Sequence, residues 1–64
     1  MSELCLVEVW GEAAGVLLKE QQRFRFYAVS GLYSALDGQS FDTRGHARLA
    51  AIRLQKQAAA RSNR

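Results

Sequence analysis

Residues 23–29 read RFRFYAV, and apolar and polar side chains alternate along this segment with a period of two. Such alternation is typical of a β-strand that buries one face and leaves the other open. We therefore predict a half-buried strand here, with the phenylalanines on the core. The two sets are Phe24, Phe26 and Ala28 on one face and Arg23, Arg25 and Tyr27 on the other.

Two further strands are predicted before this one. The segment LCLVEVW, residues 4–10, is rich in β-branched and large apolar residues and ends at Gly11. Both of its faces are largely apolar, which is expected of a strand that is central in a sheet or covered by another subunit. Residues 11–15 are predicted to be a connection and residues 16–20 a second strand, followed by a turn at Gln21 and Gln22.

The second half of the chain predicts a helix. Ser30 and Gly31 are predicted to form a turn into residues 32–36, an optional fourth strand, and Asp37 and Gly38 to close that segment. Asp42 or Thr43 is expected to cap a helix whose alanine-rich body covers residues 47–60. The predicted fold is α+β: an antiparallel sheet of three or four strands followed by one C-terminal helix. We predict that residues 1–60 form a single domain and residues 61–64 a frayed basic tail.

Chain length favours self-association. A domain of 64 residues buries only about 60% of the surface of its unfolded chain, so its stability margin is small. Cys5 is the only cysteine, which excludes an internal disulfide and disfavours a structural zinc site. A partner subunit is the remaining means of stabilisation, and we expect a homodimer.

Charge is unevenly distributed along the chain. Residues 1–20 hold one lysine against four glutamates, a net −3, whereas residues 21–64 hold eight basic residues against two aspartates, a net +6. Such asymmetry is found in proteins that bind nucleic acid. It equally allows the acidic half of one subunit to meet the basic half of another.

The helix has two apolar sides. One side carries mostly alanines and can approach the sheet closely. The opposite side carries Leu49 and Ile52, which are candidates for self-association or are single exposed apolar residues. The basic residues of the helix do not share one stripe, as tracking of phosphates requires. The alanine side comprises Ala47, Ala50, Ala51, Leu54 and Ala58.

Nucleic-acid contact is the alternative for the sheet. Arg23, Arg25 and Tyr27 project together, and an arginine–aromatic sheet face can bind phosphates and stack bases. The other interpretation is that this face is covered by a second subunit or is simply solvated.

The segment RFRFYAVSGLYSALDGQSFDTRGHARLAA resembles small uncharacterised proteobacterial proteins that share a Gly-flanked strand, an aromatic strand and an Ala-rich final helix. This resemblance implies no activity. The chain is also similar to AP2-type and integrase N-terminal modules, in which a three-stranded sheet packs on one helix. The matching positions are Phe41, Asp42, Thr43, Ala47 and Ala50. That likeness implies DNA contact through Arg23, Arg25 and Tyr27, although Gln39 and Ser40 stand where those modules carry Leu-Gly.

Catalytic motifs are not found in the sequence. His46 and Asp42 are four residues apart and could form an acid–base dyad, but no nucleophile is nearby in sequence. Cys5 has no basic neighbour and is expected to be a packed apolar residue. We expect no enzyme activity, cofactor, metal, small-molecule substrate, export signal or membrane span. The predicted protein is a small cytoplasmic self-associating interaction module, or alternatively a DNA- or RNA-binding module.

Overall fold

The computed structural model describes residues 4–62, with side chains to residue 60. Four strands form one antiparallel sheet in the order β1-β2-β3-β4, and a C-terminal helix, α1, packs on one face of it. The predicted α+β fold is therefore confirmed. The elements are β1 (Leu4–Val9), β2 (Glu12–Glu20), β3 (Arg23–Ala28), a 3-10 helix (Gly31–Leu36), β4 (Ser40–Phe41) and α1 (Arg44–Ser62).

The hairpin between β1 and β2 is tighter than predicted. Val9 is opposite Glu12, so only Trp10 and Gly11 lie in the turn. Their φ angles are 57° and 82°, as a type I′ turn requires at both central positions. The predicted connection at residues 11–15 is thus wrong, because all but Gly11 of this segment belongs to β2.

β2 contains a bulge that lets it bend over the core. Val7 is opposite Gly15 and Glu8 is opposite Ala13, so Ala14 is an extra residue on β2. Ala14 is fully buried, and β1 itself stays regular. A bulge of this kind increases the local twist of the strand that carries it.

Gly15 makes room for an aromatic ring. A Cβ atom at Gly15 would lie 2.6 Å from Cζ of Phe26 and 2.5 Å from the carbonyl oxygen of Tyr27. Phe26 is fully buried, and its ring therefore lies directly against the β2 backbone. Only glycine permits this approach.

Residues 32–36 form part of a 3-10 helix and not a strand. Tyr33 and Leu36, which are three residues apart, are both buried, and this spacing suits one turn of a 3-10 helix. The side-chain oxygen of Ser30 caps the turn by accepting a hydrogen bond from Leu32 N at 3.4 Å. The Tyr33 hydroxyl is buried without a hydrogen-bond partner in the described part of the chain. Its pKa is raised, first because burial disfavours the phenolate and then because Glu12 is negative.

The helix begins where the sequence predicts. Thr43 is the cap: its Oγ1 accepts a hydrogen bond from His46 N at 3.1 Å. Ala47 and Ala51 are fully buried against the sheet. Helix α1 continues to Ser62, and the rest of the predicted tail, residues 63–64, lies outside the described residues. The core consists of Val7, Val9, Ala14, Leu17, Phe26, Tyr33, Leu36, Ala47 and Ala51.

The contact between Gly15 and Phe26 generates a stability prediction. We expect Gly15→Ala to lower the free energy of unfolding by about 1–3 kcal/mol, because the added methyl group overpacks the ring and the backbone. Gly45→Ala is the matched control: the nearest atom to its Cβ, Thr43 Oγ1, lies 3.8 Å away. Gly45 lies in the first turn of α1, where this exchange should leave the stability unchanged or slightly raised, because glycine loses more conformational freedom on folding than alanine. Urea denaturation of both variants tests this, and equal stability of the two would contradict it.

Candidate protein-interaction surface

The face of the sheet opposite α1 has no covering layer in the described chain. The register places Leu4 beside Leu18 and Leu6 beside Val16, and Val16 beside Tyr27 on β3. These five residues form one apolar patch across three strands, which we name the outer face.

Exposure of the outer face is greatest on β1. Val16 and Leu18 are half-buried, and Tyr27 is 38% exposed, whereas Leu6 is 55% and Leu4 is 70% exposed. The order of the sheet makes β1 an edge strand. A central position for β1, one of the two alternatives drawn from its apolar faces, is therefore wrong.

The hydrogen bonds of β3 establish which backbone groups point to which neighbour. Phe26 N donates to Gln39 O at 2.8 Å and Phe26 O accepts from Gly38 N at 2.7 Å, so both groups of Phe26 point away from β2. Because these directions alternate along a strand, Arg25 bonds to its β2 partner, Leu18.

The same alternation leaves one set of β1 groups at the free edge. The backbone N–H and C=O groups of Leu18 point to β3, so those of Leu17 point to β1, where Leu17 is opposite Cys5. Cys5 and Val7 therefore bond to β2. The Leu6 carbonyl accepts only a weak contact from Cys5 Sγ at 3.8 Å. The residues whose N–H and C=O groups point to the free edge are Leu4, Leu6 and Glu8.

Trp10, the largest side chain of the chain, lies at the end of the β1–β2 hairpin. It is 74% exposed and has a φ of 57°, a left-handed conformation that bulky residues rarely adopt. Beside it a shallow groove of about 360 Å³ follows the helix at Gln55, Lys56 and Ala59. An exposed indole on a backbone that bulky residues rarely adopt makes Trp10 a candidate for contact with a partner.

The three residues predicted to contact nucleic acid share the outer side of β3, but carboxylates already pair both arginines. Arg23 Nη1 donates to Asp42 Oδ1 at 2.6 Å and its Nη2 to the Ser40 carbonyl at 3.3 Å. Arg25 Nε donates to Glu20 Oε1 at 2.9 Å.

Glu20 also joins Arg25 to Tyr27. The Tyr27 hydroxyl donates to Glu20 Oε2 at 3.4 Å, and Arg25 Nη1 donates to the Gly38 carbonyl at 2.9 Å. The pKa of Arg25 is raised, first by its hydrogen bond to Glu20 and then by the charge of that carboxylate. The guanidinium groups are thus partly neutralised within the chain.

The two helix residues predicted for self-association have different surroundings. Leu49 is 52% exposed, whereas Ile52 is half-buried and packs against the core. They do not form one exposed ridge. Leu49 borders a shallow groove with Phe41, His46 and Arg53, and its role in association stays a prediction.

The groups with potential for chemistry are separate. Asp42 pairs with Arg23, and no hydrogen bond or ion pair joins it to His46 among residues 4–60. Cys5 is half-buried in β1. Within the described residues no three His, Cys, Asp or Glu side chains gather as metal ligands, and no helix has the length and apolar character needed to cross a membrane.

Comparisons with known proteins find no match: no family model, curated protein or solved structure matches the chain. The resemblance to proteobacterial proteins and to DNA-binding modules therefore stays a prediction.

Sequence reasoning missed Val16 and Leu18 as surface residues. They belong to VLLKE, residues 16–20, where three consecutive apolar residues give no alternation. Leu17 is buried, and alternation along the strand then places Val16 and Leu18 on the opposite face. This could be recognised only by knowing which strand pairs with β2.

The backbone of Trp10 generates a second prediction. Asn tolerates the left-handed region, so Trp10→Asn should raise the free energy of unfolding by about 1 kcal/mol. Trp10→Phe keeps a bulky side chain there and should give no such gain. Urea denaturation of dilute protein measures both. A Trp10→Asn variant no more stable than the parent would show that the indole, and not only the backbone, contributes to the fold.

Proposed function

We propose that this chain is a small self-associating protein-interaction domain of the bacterial cytoplasm, without catalysis, and that it associates through the β1 side of its sheet. One observation carries the proposal: β1 is a regular edge strand whose uncovered face bears Leu4 and Leu6, both more than half exposed. Exposed apolar side chains next to unpaired backbone groups favour contact with another polypeptide.

The size of the chain supports a partner. A domain of 64 residues has a small core. A second copy would compensate for this, because association adds to the stability of the folded chain.

Internal pairing of the arginines favours protein over nucleic acid as the partner. Phosphate binding uses guanidinium groups whose counterions can be released. Arg23 and Arg25 instead hold Asp42 and Glu20, so phosphates would have to compete with these carboxylates.

Oligomeric state tests the proposal. Light scattering should show a dimer for the parent as its concentration rises to the millimolar range. Leu6→Glu should weaken the dimer by at least about 100-fold, because each buried leucine contributes about 1.5 kcal/mol and a twofold interface contains it twice. Leu49→Glu is the matched control at a similarly exposed leucine and should leave the dimer unchanged.

A dimer weakened by Leu49→Glu and not by Leu6→Glu would place the interface on the helix, as predicted for Leu49 and Ile52. A single variant at Leu49 is the cleaner test, because Ile52 packs against the core and a charge there would also destabilise the fold. A parent that remains a monomer at millimolar concentration contradicts self-association altogether.

Titration with nucleic acid tests the alternative function. We expect no salt-dependent binding of labelled duplex or single-stranded DNA to this protein. Binding that weakens steeply with salt, and that Arg23→Ala and Arg25→Ala each reduce, would instead support the DNA- or RNA-binding module. Both variants should keep the parent's stability within about 1 kcal/mol, because exposed ion pairs contribute little.

A further inference from the structure

We propose that β1 pairs with β1 of a second copy in antiparallel orientation, joining two four-stranded sheets into one continuous sheet. The inference rests on the proposed function and specifies its partner and its hydrogen bonds. It follows from the backbone of β1, from the contrast between the two edges of the sheet and from the self-complementarity of the strand.

The free backbone groups of β1 form a complete hydrogen-bonding set. Leu4, Leu6 and Glu8 all direct N–H and C=O groups to the open edge, as derived above. In the described part of the chain the only contact to any of them is the 3.8 Å contact from Cys5 Sγ to the Leu6 carbonyl. Three alternate residues with outward groups are what an added antiparallel strand requires.

The two edges of the sheet differ in their protection. At one edge β4 has only two residues, Ser40 and Phe41, and very short strands are a common means of preventing pairing. At the other edge β1 has six residues, LCLVEV, without lysine or proline and with Glu8 as its only charge. The bulge lies on β2 at Ala14, so it does not interrupt the outer edge of β1. Only the β1 edge is therefore suited to an additional strand.

Pairing centred on Leu6 is self-complementary. It places Leu6 opposite Leu6 of the second copy, and Leu4 opposite Glu8, so every outward N–H and C=O group in these residues gains a partner. The two Leu6 side chains meet on the outer face at the twofold axis. In the single chain Leu6 is 55% exposed. On the other face Cys5 is opposite Val7, and no two like charges are directly opposed. A strand of foreign sequence would have to reproduce this pattern, whereas a second copy supplies it.

Hydrogen exchange of the wild-type chain tests the pairing directly. The amides of Leu4, Leu6 and Glu8 should exchange on the order of 100-fold more slowly in concentrated dimeric protein than in dilute monomer, because paired N–H groups exchange only on opening. Cys5 and Val7 bond to β2 in both states, so any slowing of their amides measures the stabilisation of the whole chain by association, and the three outward amides should slow by more than this. If the protein is dimeric and the three outward amides exchange at the dilute rate, edge pairing is overturned while the proposed function stands. If the protein never dimerises, the proposed function itself is overturned.

A proline substitution provides a second test of the pairing. Glu8→Pro removes an outward N–H without removing a bond to β2 and should weaken the dimer about 30-fold, since one donor is lost from each copy. Glu8→Ala keeps that N–H and should dimerise like the parent. Leu18→Gln changes the outer face on β2 and should also leave the dimer intact. Dissociation by Leu18→Gln with an intact Glu8→Pro dimer would identify face-to-face packing and overturn the pairing of β1.

Discussion

One helix covers one face of the sheet, and most other properties of the molecule follow from this. The alanines of α1 allow it to approach β1, β3 and β4 closely, and Ala47 and Ala51 are buried together with Leu17 and Phe26. The described elements include no second α-helix, and the 3-10 helix packs on the same side as α1, so the outer face has no internal partner among them. Its apolar residues can lose water only through contact with another molecule.

The arrangement of charge complements this uncovered side. The carboxylates of Glu20 and Asp42 pair the two arginines of β3, while β1 carries a single charge at Glu8. Apolar exposure and unpaired backbone groups are thus concentrated on the same strand. Because an unprotected edge strand also promotes aggregation, a specific partner for β1 would protect the protein as well as stabilise it.

Much of the fold could be predicted from the sequence, because single segments contain the relevant signal. The alternation in β3 predicts that Phe26 faces the core, and Thr43 with the alanines after it predicts the helix start. Residues 32–36 could not be assigned this way, since the burial of Tyr33 and Leu36 depends on where α1 crosses. Ala14 could not be recognised as a bulge, because a bulge is defined by the pairing of two strands.

The candidate surface was harder to predict than the fold. Alanines surround much of α1, so the pattern alone does not define which side of the helix faces the sheet, and Ile52 was expected on the outside. The apolar residues of β1 indicated either a central strand or a subunit contact. Only the strand order distinguishes these alternatives, and strand order depends on contacts distant in sequence.

The close approach of Phe26 to Gly15 has a consequence for sequence variation. A side chain at position 15 would meet the Tyr27 carbonyl oxygen as well as the Phe26 ring, so a smaller residue at position 26 would relieve only one of the two clashes. Position 26 is therefore expected to vary in size more freely than position 15. Among distant sequences of the same fold, a glycine opposite the start of the bulge would be retained even where the ring is not.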